Sequence, residues 1–377
     1  MSSLWQSVTG FVSRNRSRLV IASVVAIAVT VYVNYPWAEE PEEESERERN
    51  KRSHIRMMAD SRQARPNRSR LLLRIRRQFD TATGQFLPTL RVKIVEVVDI
   101  NGTVRHIKAL RAQATENQEE LEARLWNEIK NASFAMLVVT VYMLSAVCTL
   151  LRIQLHILAR SLTLTQQDEG LDSHMFRALI EGTYKQLFGS GLHAFAALVK
   201  QRVAADLRDW TVKDKLQVDF DELRQALQYV RRNLESDLEG MIRTIFIPPE
   251  AAADLPCDSP PATPPPPPYS PEAAAVQGLL DQTWDLLESP AFSTVYTEAV
   301  DCTFKIVLDS LRPAFASEGQ ARTPPLASLL PQIKAVAGKL LPTASAGHGG
   351  VSAEVKEISQ GPYLEAFCIA IFDAPVS

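Results

Sequence analysis

The chain has 377 residues, 46% of them hydrophobic and 23% charged, which is enough for one large domain or two ordinary ones with a real core. A formal net charge of −3 argues against a polyanionic partner such as nucleic acid. The four cysteines, Cys148, Cys257, Cys302 and Cys368, are far apart and form no CxxC pair, which excludes a clustered-thiolate zinc site and suits a reducing compartment. Leu, Ala and Val dominate while glycine is sparse, a balance that favours helices over a sheet-rich fold.

In chain order, Arg14, Arg16 and Arg18 precede the uncharged run "LVIASVVAIAVTVYVNY", and Trp37 follows it. At ~1.5 Å per residue the run covers roughly 26 Å, enough for a membrane span, and the aromatic residues at its far end suit an interface. A cleaved signal wants small residues before the cut, whereas Tyr35, Pro36 and Trp37 are bulky. We therefore read 1–18 as a short basic segment and 19–37 as a retained anchor. The charge rule for inserted segments leaves the basic end in the cytosol, although organelle membranes that receive finished proteins need not obey it.

Residues 38–80 form a charged stalk, acidic in "EEPEEESERERNKR" and basic from 47 to 77. The basic half fits contact with anionic lipid headgroups beside the anchor, or a solvated stalk that touches nothing. Nucleic-acid binding through it lacks the aromatic residues that stack on bases. The strand-like stretch "RVKIVEVVDINGTVRHIK" has Asn101-Gly102 as a hairpin turn or is a poorly patterned helix.

From about Gln118 the pattern is helical, and 81–377 reads as one helical domain. Residues 134–151 carry no charge between Lys130 and Arg152, so they form either a second span or the central helix of a core. A second helical stretch runs from His174 to Asp209, with Phe176, Leu179, Ile180, Leu187, Leu198 and Val199 at helical spacing. A third runs from Phe220 to Ile242, with Arg231, Arg232, Asp237 and Glu239 on its polar face. The Pro-rich tract at 255–271 reads as a surface loop, or less often as a ligand for an aromatic groove. Ser289 then Pro290 reads as an N-cap followed by proline at the first helical position. Two further helices are expected near Leu326 to Leu340 and Ala353 to Phe372, joined by "PTASAGHGGVS".

No catalytic pattern emerges. None of the six histidines pairs at i, i+4, there is no GxSxG, and "FGSGLHAF" lacks the context of a phosphate loop. The sequence points to no catalytic residue, no metal, no cofactor and no small-molecule substrate. Binding is then the expected work of the domain. Trp126, near the start of the long helix, fits either a packed core or an exposed anchor for a partner helix.

Short blocks in order, "RRQF", "LPTLR", "LWNEIK", "LLRIQLHI" and "LESPAFSTV", resemble the peroxin-3 family of peroxisome biogenesis factors. The resemblance implies an all-α fold: a single N-terminal anchor followed by a large, elongated cytosolic helical bundle. It implies an integral peroxisomal membrane protein with its N-terminus in the matrix and its bulk in the cytosol. Its partners would be peroxin-19 with membrane-protein cargo and the lipid of the peroxisomal membrane. On this resemblance Trp126 is the key groove residue, with Ile129 and Lys130 one turn on. Leu110 and Arg111 stand where the family has a leucine–lysine pair, and Ser328 replaces a family lysine, leaving Leu326 and Leu329 as apolar contacts. It also implies that residues 134–151 are the buried central helix. The rival readings are a two-span membrane protein and a basic lipid-binding tether.

Overall fold

A computed structural model describes residues 66–111, 118–165, 174–247, 271–317, 320–342 and 351–373. The expected anchor at 19–37, its flanking Arg14, Arg16 and Arg18, the stalk before residue 66, and the Pro-rich stretch up to residue 270 lie outside the described residues. So does Cys257.

The basic run enters the fold as α1 (Pro66–Val98). Ile75, Phe79, Leu87, Leu90 and Ile94 are buried at helical spacing, while Arg74, Arg76 and Arg77 stay exposed. α1 ends at Asp99, whose φ of 47° breaks the helix. The Asp99 carboxylate then accepts the Gly102 N–H at 3.0 Å and caps α2 (Ile100–Arg111). Asn101-Gly102 therefore opens a helix and turns no hairpin. A Cβ on Gly102 would lie 2.3 Å from that carboxylate as it stands, so a larger residue there requires the Asp99 side chain to shift.

α3 (Gln118–Thr165) is one continuous helix of 48 residues. Among the described residues it is the one helix long and apolar enough to cross a membrane, and its apolar window is wholly buried inside the protein. Every residue from 134 to 151 is buried, because α1, α5, α9, α10 and α12 pack around it. The second-span reading is thereby corrected: this is the core helix. Some of its buried hydroxyls bond within the protein, whereas Thr140 Oγ1 and Gln154 Oε1 are buried with no hydrogen-bond partner. Ser145 Oγ donates to the Val141 carbonyl at 2.9 Å and lies 2.9 Å from Thr303 Oγ1, tying α3 to α9.

The expected helix from His174 divides into α4 (His174–Gln186), a π-turn (Leu187–Gly191) and α5 (Leu192–Asp206). A Cβ on Gly191 would come 2.5 Å from the Ile245 carbonyl oxygen, so glycine allows the next layer to approach. Leu198, expected inside, is 37% exposed. The expected helix from Phe220 to Ile242 also divides, into α6 (Phe220–Leu234), a 3-10 turn (Glu235–Asp237) and α7 (Leu238–Phe246). Asp237 accepts the Gly240 N–H at 3.0 Å and starts the new helix. Arg231, expected on the solvent face, is held instead by Glu235 and Asp301.

α8 (Pro271–Leu287) and α9 (Pro290–Leu311) meet where the Ser-Pro pair predicted a boundary. Ser289 Oγ accepts the Phe292 N–H at 3.2 Å. A 3-10 turn (Arg312–Phe315) and a two-residue antiparallel pair, β1 (Ala316–Ser317) with β2 (Gln320–Ala321), lead to α10 (Leu326–Leu340). The last expected helix is two, α11 (Ala353–Ser359) and α12 (Pro362–Asp373), parted at Gly361. The chain is thus all-α in architecture, apart from that minimal β pair.

His156 of α3 is 2% exposed, and its Nδ1 lies 2.7 Å from the Arg152 carbonyl. Burial, with nearby Arg152, pushes its pKa down to about 4. A depressed folded pKa means that the unfolded chain takes up a proton first as pH falls. Stability is therefore expected to fall between pH 6.5 and about 4, by on the order of 3 kcal/mol from this group. Urea melts across that window check it: a His156→Gln variant should show a flatter acid limb, and an unchanged limb contradicts the assignment.

Candidate partner-binding end of the bundle

The first third of α3 rests on the loop 207–219, which joins α5 to α6. Trp126 is half-buried against the core, and its Nε1 donates to Glu122 Oε1 at 3.2 Å. One turn on, Ile129 is buried and Lys130 is 2% exposed. Lys130 Nζ donates to the Leu207 carbonyl at 2.7 Å, and burial pushes its pKa down to about 8. This lysine is a structural clamp between α3 and the loop.

The loop is stitched on three sides. The Val212 N–H donates to Asn127 Oδ1 at 3.3 Å. Trp210 meets Phe134 edge to face at 6.3 Å, and Lys215 lies over the Trp210 ring at 5.3 Å while pairing with Glu222 of α6. The Lys215 carbonyl accepts the Leu326 N–H at 3.1 Å, and the Val218 N–H donates to the Pro324 carbonyl at 3.0 Å. One loop therefore binds the start of α3, the start of α6 and the start of α10.

The residues expected at a partner groove are thus brought to linked elements, but their exposures differ. Leu326 and Leu329 are fully buried, as Ile129 and Lys130 are. These four pack into the protein's own core; Trp126 keeps exposed surface. Ser328 turns back on its own helix, donating to the Pro325 carbonyl at 2.8 Å. Leu110 and Arg111 end α2, and their side chains lie outside the described residues. α2 packs on α3, and Lys334 Nζ of α10 donates to Asn101 Oδ1 of α2 at 2.9 Å, so α2, α3 and α10 do converge.

Sequence reasoning missed the loop 207–219. Its signal was there: Trp210, Val212 and Val218 are apolar residues inside an otherwise charged connection. Among the described residues no group of three or more His, Cys, Asp or Glu side chains converges on a metal position. Cys148 and Cys368 are buried and unpaired, and burial pushes the Cys368 thiol up to about 12, which leaves it inert at neutral pH.

A sequence model of the family described as Peroxin-3 matches residues 187–374. The chain is 25% identical over 241 residues to "Peroxisomal biogenesis factor 3" of Rattus norvegicus, 25% to that of Homo sapiens and 26% to that of Bos taurus. The chain belongs to the peroxin-3 family. Each of these alignments covers 61% of this chain and 61% of the relative, so the chain spans less than two thirds of the length of the relatives it matches. The Peroxin-3 match runs from the π-turn to the end of α12. Leu326 and Leu329 fall within it, and Trp126, Ile129 and Lys130 precede it.

Proposed function

We propose that this peroxin-3 family member serves peroxisome biogenesis as a membrane docking receptor that binds peroxin-19 with its cargo. Membership of the family supports the role in biogenesis. The observation that carries the docking reading is the exposed part of Trp126, set on a rigid end where α3, α10 and the loop 207–219 are pinned together. A preorganised aromatic anchor loses little entropy on binding and suits an amphipathic partner helix. The protein acts by binding, with no chemical step. Residues 19–37 anchor it in the peroxisomal membrane as a single pass, with the bundle in the cytosol.

The start of α1 supports a second contact, with the membrane itself. Leu73 is 58% exposed and is flanked by exposed Arg74, Arg76 and Arg77, a pattern suited to an anionic headgroup layer beside the anchor. Titration of the purified protein with peroxin-19 tests the main reading. Saturable binding at micromolar or tighter affinity supports it, and no detectable binding contradicts it.

A further inference from the structure

Leu216 is 69% exposed, more than any other large apolar side chain among the described residues. A lone leucine on a surface is ordinary; the setting of this one is not. It stands on the loop 207–219, yet the backbone around it is held at every step. The Lys215 N–H donates to the Thr211 carbonyl at 3.0 Å, and the Leu216 N–H donates to the Asp214 carbonyl at 3.0 Å. The Lys215 carbonyl accepts from Leu326 and the Val218 N–H donates to Pro324, so α10 grips the loop on both sides of Leu216. An apolar side chain presented to water from a fixed backbone leaves little backbone entropy for a partner to remove.

The loop also continues the surface around Trp126. Trp126 and Lys130 lie one turn apart on the same face of α3, and Lys130 clamps the first residue of the loop through the Leu207 carbonyl. Asn127, next to Trp126, holds the Val212 N–H. Val212 is half-buried. Trp126, Val212 and Leu216 therefore form an apolar track that starts on α3 and crosses the loop to the point where α10 holds it. Four residues of chain reach at most about 14 Å, which bounds the step from Val212 to Leu216. A partner helix of about 15 residues is about 22 Å long, enough to follow the track.

Beside Leu216 lies a surface depression of about 450 Å³, lined also by Asp209, Asp214, Lys215 and Gln217. The cation among them, Lys215, is already paired with Glu222. The two carboxylates disfavour an anionic lipid layer as the occupant, while a polar border around an apolar contact suits a protein helix.

We propose that Leu216 is a second anchor for the amphipathic partner helix that docks at Trp126, packing against an apolar side chain of that helix beside the depression. The inference rests on the docking reading above and adds the loop 207–219 to the contact surface.

The test is a calorimetric titration of the full chain in detergent micelles with peroxin-19 and, separately, with the peptide of its N-terminal helix. Leu216→Ser is expected to weaken both by about fivefold or more and to leave the melting temperature as it was, because the side chain is exposed. Leu216→Met should bind like the parent, and Leu216→Ser combined with Trp126→Ala should bind more weakly than either alone. A parent chain that binds neither ligand contradicts the docking reading itself. A parent that binds, with Leu216→Ser equal to it, leaves docking at Trp126 standing and overturns the second anchor. A loss seen with whole peroxin-19 but not with the peptide places Leu216 against another part of the partner and overturns the proposal as well. So does self-association of the parent that Leu216→Ser abolishes while peroxin-19 binding is unchanged.

Discussion

Trp126→Ala is expected to weaken binding of the N-terminal helix of peroxin-19 by about tenfold or more, with helix content unchanged. The side chain is half-buried and its polar atom bonds only within its own helix, to Glu122. Truncation therefore removes contact area from the surface and opens no sealed cavity. Burying such a tryptophan at an interface contributes on the order of 2–4 kcal/mol, which covers the expected loss. Its neighbours should behave differently. Ile129 and Leu326 are core residues, so their replacement by alanine lowers stability first and affinity only through it. Isothermal titration beside circular dichroism separates the two classes. An unchanged affinity in Trp126→Ala removes this residue from the binding surface.

Leu144→Asp should prevent folding of the domain in detergent-free solution. Leu144 is fully buried in the middle of α3, with helices packed around it. An unpaired carboxylate there costs several kcal/mol, a large share of a total stability of about 5–15 kcal/mol. Leu121→Asp, on the same helix at a site 37% exposed, should be close to neutral. Expression followed by size-exclusion chromatography distinguishes them. A soluble, monomeric and helical Leu144→Asp protein contradicts the burial of α3.

The elements that could be read in the sequence were those with a local physical signal. Ser289-Pro290 marked a helix start because a hydroxyl cap and a fixed φ act within one turn. The bounds of α10 were equally local. Asn101-Gly102 misled, because the same pair that closes a hairpin also tolerates the first turn of a helix when Asp99 supplies the cap. The break at Glu235–Asp237 was hidden because the apolar spacing of α6 continues into α7. What no spacing rule carries is contact between distant segments. Lys130 bonds the Leu207 carbonyl across 77 positions, and Tyr142 bonds Glu235 across 93. For that reason Ile129, Lys130, Leu326 and Leu329 were identified as neighbours of one end of the bundle but not as its interior. Trp126, whose position alone left a packed core and an exposed anchor both open, is half-buried.

The most direct test of the account is a titration of residues 39–377, purified without detergent, with a peptide from the N-terminus of peroxin-19. The account predicts a soluble helical protein that binds the peptide saturably at micromolar or tighter affinity. A soluble protein that fails to bind contradicts the receptor reading while the fold stands, and a chain that dissolves only in detergent contradicts the buried core helix.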